Sequence, residues 1–446
     1  MPSSLITIGR SGAAAARASL ELTAQNIANA GNEDFSRRSL SQSELVGSAT
    51  VGLYSGVAFN GVRLGTIQRA DNALAREQVR ATGSDLARAD AELEGLRDAE
   101  TALEQSRLFE GLVDFESALT RLASDPLDPA LRITAYESAR QLADRFQLAD
   151  NSLGDARELT QSQVNAGVNE VNQQAATLAR INEELTRTEP DTAGQAALLD
   201  QRDAALAALS EELGISVRFE ERGVANVRIG DASGPLLIDG TSATALSSTF
   251  AADGTALFDL GGTAVTPGSG ALAGRTGALT VQADLQTQLD SIALSTITAA
   301  NTAQANGSAQ DGSVGQPLFS GTTAADIGLA LASPNGLATA PAGAPAGSRD
   351  ASNLAALIAA IGADDGPVAG SDALLLGISS RISGQQTTRS ALAAIAESAE
   401  GALLREIGVD LDTEAANLVR LQQAFEANSR VIQVASDLFD TVLGLR

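Results

Sequence analysis

The sequence predicts a mainly α protein: the two chain ends pair as a coiled coil, an elongated helical bundle follows, and a small antiparallel β domain is inserted mid-chain. Three observations carry that prediction. Both ends are striped with apolar residues at heptad spacing. The stretch from 130 to 187 is rich in helix formers and holds no proline. From residue 215 the pattern changes to apolar–polar alternation broken by glycine. At 446 residues the chain is about three usual domains long.

Residues 4–30 read as one helix, with Ile6, Ala13, Leu20 and Ile27 spaced by seven and Ala16, Ala24 and Ala30 beside them. Gly9 and Gly12 weaken its start. From 31 to 68 the chain turns to Ser, Gly and Asn with short alternating pieces, which reads as extended chain and turns. Helical spacing returns over 69–108, and a short helix at 111–124 ends at "DPLDP". The proline-free stretch from 130 to 187, interrupted only by Gly154 and Gly167, makes a helix of roughly 85 Å at about 1.5 Å per residue. A rod of that length does not belong to a compact enzyme. Residues 195–213 form the next helix, with Gly214 expected as its C-cap.

The alternation over 215–274 argues for the small β domain. Helix resumes over 277–306, a Gly-, Ala- and Pro-rich loop occupies 333–348, and helices follow at 352–361 and 371–406. The last helix, 413–443, carries Leu411, Leu418, Phe425, Ile432 and Phe439 at intervals of seven, with Leu421, Asn428, Ala435 and Val442 between them. The expected domains are therefore 1–68 with 408–446, then 69–214 with 275–407, and 215–274.

Composition removes most catalytic chemistry. There is no Cys, His, Trp or Lys, so all thirty basic residues are arginine. That leaves no Ser-His-Asp triad, thiol nucleophile, ordinary zinc site, Schiff base or P-loop lysine. A net charge of −25 repels nucleic acid and anionic lipid. The longest apolar stretch, Leu354 to Ile361, is far short of the roughly 18 residues a membrane span needs. "MPSSLITIGRSG" lacks the basic and apolar regions of a cleaved signal. The absence of cysteine fits a cytoplasmic chain and equally one threaded unfolded through an export channel.

Each cluster that carries chemistry has a plain alternative. The terminal stripes fit either an intramolecular bundle or packing in a polymer, and narrow seams holding Asn26, Asn29 and Asn428 favour the polymer, with the asparagines fixing register. In "LLDQRD", Asp200, Arg202 and Asp203 read as a charged helical face, and Leu198, Leu199 and Leu206 as core. Asp364 with Asp365, and Asp410 with Asp412 and Glu414, lack calcium-loop spacing, and the latter group suits a helix N-terminus. "GSGALAG" at 268–274 lacks dinucleotide-fingerprint spacing, and thirteen scattered aromatics do not line a glycosidase cleft. No metal or cofactor is expected.

"LITIGRSGAAAARASLELTAQNIANAGNEDFSRRSL" at 5–40, with "NIANA" at 26–30 followed by Phe35, Ser36 and Arg37, resembles the N-terminal motif of the flagellar axial proteins. Asn32, Glu33 and Asp34 stand where that motif carries Thr-Pro-Gly. Residues 408–445 resemble the partner C-terminal motif. "LLDQRDAALAALSEELGISV" at 198–217 and the segment 289–319 are similar to the hook-associated branch of the family rather than to rod or hook proteins. The resemblance implies a non-catalytic subunit joining hook to filament, outside the cell and exported without a cleaved signal. Its implied partners are copies of itself in a ring, the hook protein, the second junction protein, and an export chaperone at the C-terminal helix. It implies an inner tube in which Ile6, Leu20, Asn26, Ile27, Asn29, Leu418, Leu421, Phe425, Asn428, Ile432 and Phe439 pack subunits together. A rod or hook protein is the rival within the family; a secreted adhesin or enzyme is the rival outside it.

Overall fold

The computed structural model describes residues 2–32, 34–51 and 54–444. In chain order it contains helix α1 (Pro2–Ala28), strands β1 (Arg38–Val51) and β2 (Tyr54–Arg69), and helices α2 (Ala73–Ser106), α3 (Leu108–Ser124), α4 (Pro129–Arg187) and α5 (Ala193–Glu212). Strands β3 (Ile215–Phe219), β4 (Ala225–Ile229), β5 (Leu236–Asp239), β6 (Ser242–Ala243), β7 (Leu246–Phe250), β8 (Ala256–Leu260) and β9 (Thr263–Val265) come next. Helices α6 (Ala271–Ala305), α7 (Ser352–Ile361), α8 (Pro367–Ile407) and α9 (Leu411–Gly444) complete the chain. It is mainly α with small antiparallel sheets, the class the periodicities indicate.

The helices begin and end where side chains satisfy orphan backbone groups. Asp128 Oδ1 accepts from Ala130 N at 2.7 Å and Leu131 N at 3.1 Å, and Pro129 supplies a first residue that needs no amide partner. From that cap α4 runs 59 residues without a break. Thr192 caps α5 by accepting from Gln195 N. Between α2 and α3 the chain turns at Arg107, a left-handed residue with φ 52° and ψ 37°. Gly214 is not the left-handed cap expected of it: Leu213 leaves α5 in extended geometry with φ −138°, and the Gly214 carbonyl accepts from Gly230 N at 2.7 Å. The helix passes straight into β3, so no reversal calls for a glycine cap.

The chain forms two compact units. The first comprises Met1–Gly83, Val171–Ala245 and Ala394–Arg446. Here the segment expected as loose extended chain is a long antiparallel hairpin, β1 on β2, pairing Arg38 with Arg69 and bulged between Leu40 and Gln42 and between Glu44 and Val46. Gly52, Leu53 and Glu33 of the sequence reading lie outside the described residues. A four-stranded sheet in the order β3-β4-β5-β6 is pinned to α4 by the buried Asn182. Its Nδ2 donates to Ala225 O at 2.8 Å and Gly240 O at 2.6 Å, and its Oδ1 accepts from Ala225 N at 2.9 Å.

The second unit comprises Ser84–Glu170 and Leu246–Ala393. Its core is an alanine–leucine seam around Leu96, Leu112, Phe115, Leu142, Phe146 and Leu289, with Phe115 edge-on to Phe319 at 6.0 Å. The three-stranded sheet β7-β8-β9 belongs here, held by Gln161 Nε2 donating to Gly254 O at 3.0 Å. The alternating interval read as one domain thus holds two sheets, one in each unit. Between α6 and α7, two pairs of two-residue strands brace the loop, and Arg132 organises it from α4. That side chain is 1% exposed and donates to the carbonyls of Pro126 at 2.7 Å and Leu337 at 3.0 Å and to Thr339 Oγ1 at 3.2 Å.

Burial lowers the Arg132 pKa, and backbone carbonyls rather than a carboxylate hold its charge. Arg132→Met leaves those acceptors buried and unmatched, and should reduce stability by on the order of 3 kcal/mol. Urea titration followed by circular dichroism measures this. Arg132→Lys, with three donors and no planar fork, recovers only part of the loss.

Candidate functional site

The two chain ends meet along α1 and α9. Asp410 starts α9: its Oδ1 accepts from Thr413 N at 2.8 Å, and that backbone bond holds its carboxyl below the usual range. Ala15, Ala16 and Leu22 of α1 are buried, as are Glu414 and Ala435 of α9. Close approach rests on the two glycines that the sequence marks as weak points. A Cβ on Gly9 would stand 2.9 Å from Ile432 Cγ1, and one on Gly12 would stand 2.4 Å from Asn428 Oδ1. Their cost in helix propensity, about 1 kcal/mol each, is offset by the contact they permit.

The three asparagines do different work. Asn26 is buried; its Oδ1 accepts from Arg38 N at 3.0 Å, and its Nδ2 donates to Arg38 O at 2.9 Å and to Glu414 Oε1 at 3.2 Å. One amide therefore fastens α1 to both the hairpin base and the start of α9. Asn29, just past the end of α1, donates to Gln25 O, and Asn428 donates to Ala424 O within α9, both at 2.8 Å, so these three do not pair with one another.

Of the other residues expected to pack subunits, Ile6, Leu20, Ile27, Leu418, Leu421 and Ile432 are half-buried. Phe425 and Phe439 are exposed, at 38% and 45%. The orientation of α9 is plain from two neighbours: Ala435 is 1% exposed and Val434 58%. Leu411, Val419, Val431 and Leu438 are exposed as well, so α9 keeps large apolar side chains that α1 does not cover.

Below the seam, the "LLDQRD" segment departs from the sequence reading. Asp200, Arg202 and Asp203 are buried, not a solvated face, because arginines from distant segments converge on them. Asp200 binds Arg69 Nε and Arg38 Nη2, both at 2.7 Å. Asp203 binds Arg69 Nη2 at 2.6 Å, Arg76 Nη1 at 3.2 Å and Arg202 Nη2 at 2.6 Å. Arg202 lies over the Phe219 ring at 4.2 Å and Arg38 over Phe35 at 4.9 Å. Leu206 is core, whereas Leu198 and Leu199 are half-buried. Arg76 also donates to Ser36 Oγ at 2.6 Å, so the Phe35–Ser36 pair is buried in the same cluster. Nothing in the local pattern around 38, 69 or 76 marks these arginines as partners of a segment more than 120 positions away.

Among the described residues, no group of three or more acidic, His or Cys side chains is placed to hold a metal ion, and no helix is long and apolar enough to cross a membrane.

Comparison with known proteins follows the same lines. The family model "Flagellar hook-associated protein FlgK helical domain" matches residues 96–319, and "Flagellar basal body rod FlgEFG protein C-terminal" matches 401–445. Flagellar hook-associated protein 1 of Escherichia coli (strain K12) is 28% identical over 250 residues, 55% of this chain and 45% of that protein. Its namesake in Bacillus subtilis (strain 168) is 24% identical over 216 residues, 47% of this chain and 43% of that protein. The chain spans about half the length of the curated relatives it matches. A solved structure, that of the flagellar hook junction protein FlgK from Burkholderia pseudomallei, shares the fold with a TM-score of 0.61 at 14% identity, covering 73% of this chain and 99% of that one.

Burial pushes the Asp203 carboxyl up, but Arg202, Arg69 and Arg76 outweigh it and hold it below the usual carboxylate range. A depressed folded pKa contributes stability that is complete above the unfolded value, about 3.9, and is lost as pH falls through the lower folded value. Asp203→Asn should therefore be destabilised at neutral pH by about 3–5 kcal/mol, and its urea midpoint should converge toward that of wild type below about pH 4. Denaturation at a series of pH values tests both statements.

Proposed function

We propose that this chain, which belongs to the flagellar hook-associated protein FlgK family, is a structural subunit of the bacterial flagellum that joins hook to filament by assembling through its terminal helices. The observation that carries the reading is the half-covered α9. Helix α1 takes one face, and Val419, Phe425, Val434, Leu438 and Phe439 stay exposed on the rest. Large apolar side chains left exposed along one helix in this number suit an association surface. The relatives are named for their place in the flagellum, and we read this chain likewise as structural rather than catalytic.

The reading places the chain in the extracellular flagellum, exported without a cleaved signal, in a ring of its own copies between the hook protein and the second junction protein. The terminal segments 1–68 and 408–446 serve as the inner-tube domain, and Ile6, Leu20, Asn26, Ile27, Asn29, Leu418, Leu421, Phe425, Asn428, Ile432 and Phe439 as its packing residues. Before assembly the exposed face of α9 suits a helix-in-groove chaperone. A rod or hook protein is the second reading, favoured by the C-terminal match alone; the helical-domain match over 96–319 supports the junction instead.

Phe425→Asp sets a charge on the face that must be desolvated on assembly. It should abolish incorporation into the flagellum, scored by motility and filament attachment in a strain lacking its own copy, while leaving circular dichroism of the purified chain unchanged. Normal swimming by this variant would remove α9 from the joint.

In the free chain, amides of 5–30 and 415–440 should exchange with solvent faster than those of 130–170, because the terminal helices have one covered face each. Hydrogen exchange followed by mass spectrometry makes the comparison; equal protection would mean that the ends need no polymer to be ordered.

A further inference from the structure

We infer that the chain carries a head-to-tail docking pair: a basic groove at the base of the terminal helices receives the acidic last turns of α9 from a second copy of this chain. The inference rests on the assembly reading above and names the contact through which it occurs.

The groove, about 380 Å³, opens where α1, β1 and α9 meet. Its walls include Leu22, Leu40 and Leu421, and its charged lining is Arg37, Arg38, Arg420 and Glu414. Glu414 is occupied by Asn26 and Arg38 by Asp200. Among the described residues no carboxylate pairs with Arg37, and Arg420 donates only to Asn417 Oδ1, at 3.0 Å. In a chain of net charge −25, a mostly polar groove with two arginines that no carboxylate pairs among the described residues is a place for an acidic partner.

The same chain supplies one. Beyond Arg430, α9 carries Asp437 and Asp440 and has no basic residue in its last turn. Leu438 and Phe439 beside them are exposed. Three residues apart on one helix, Asp437 and Asp440 share a face and offer two carboxylates together for Arg37 and Arg420.

The tail cannot reach the groove of its own chain. Arg420 and Asp440 lie on one continuous helix, twenty residues apart and so about 30 Å along its axis. The partner must be another copy, and a contact joining two different patches repeats head to tail, closing into a ring or continuing as a helical array.

The chain has no cysteine, so introduced thiols report this contact without background. Arg420→Cys combined with Asp440→Cys, expressed in a strain lacking its own copy and oxidised in isolated flagella with copper–phenanthroline, should yield disulfide-linked dimers and higher multimers. Each single variant should yield none. An incorporated double variant that stays monomeric under oxidation overturns the inference while leaving the assembly reading intact. If the double variant does not incorporate, Arg420→Asp and Asp440→Arg decide: each alone should cut motility severalfold, and the two together should restore it. Failure of the exchange to restore motility also overturns the inference. Absence of the wild-type chain from the flagellum removes the assembly reading and this contact together.

Discussion

The first unit depends on the side-chain amide of Asn26. A primary amide is a short group that donates and accepts at once, and here it completes the Arg38 backbone as a neighbouring strand would, with 3.0 Å and 2.9 Å bonds, before reaching Glu414. Aspartate at this position has no donor for the Arg38 carbonyl, and glutamine is a methylene too long to match both backbone groups. The hairpin therefore leaves α1 at a fixed place, and α9 starts at a fixed place against it. The glycines at 9 and 12 then set how closely the two helices lie over the following turns.

The arginine–aspartate cluster fixes the other side of the hairpin base. Two aspartates hold four guanidinium groups, from β1, β2, α2 and α5. A planar fork binds one carboxylate oxygen through Nε and another through Nη, as Arg69 does with Asp200 and Asp203; an ammonium presents its donors as a point charge and does not span two carboxylates in this way. The absence of lysine is thus compatible with a buried cluster that needs forks. Exposed pairs elsewhere, such as Arg17 with Glu21, contribute far less because solvent screens them.

Periodicity made the helices legible, since α1, α4 and α9 each repeat their apolar residues over many turns. The hairpin was not legible as a hairpin: its short alternating pieces marked extended chain, but spacing does not reveal that Arg38 pairs with Arg69. The two sheets near mid-chain read as one interval because alternation marks strands and says nothing of which helix they pack on; Asn182 and Gln161 make that choice. In the candidate site, the asparagines stood out as costly in a dry seam, yet their partners are backbone groups that spacing does not reveal. The burial of "LLDQRD" depended on Arg38, Arg69 and Arg76 from elsewhere in the chain, beside its own Arg202.

The seam between α1 and α9 is built from small residues, and that choice explains what α9 leaves outside. Alanine and glycine bring the backbones close but bury little area, so the intrachain contact positions the helices while covering the larger side chains only in part. Phe425, Leu438 and Phe439 remain exposed, and each is worth about 1.5–3 kcal/mol when fully buried, against about 0–1 kcal/mol for a surface ion pair. In the proposed assembly the apolar side chains would therefore provide the strength. On the proposed contact, charges such as Arg420 and Asp440 would decide which turn of one helix meets which groove of the next, because a slip of one turn separates the charges while sacrificing little apolar area. Strength without register would give amorphous aggregates, and register without strength would not hold; in the proposed assembly a thin inner seam that leaves part of its apolar side chains uncovered would supply both from one pair of helices.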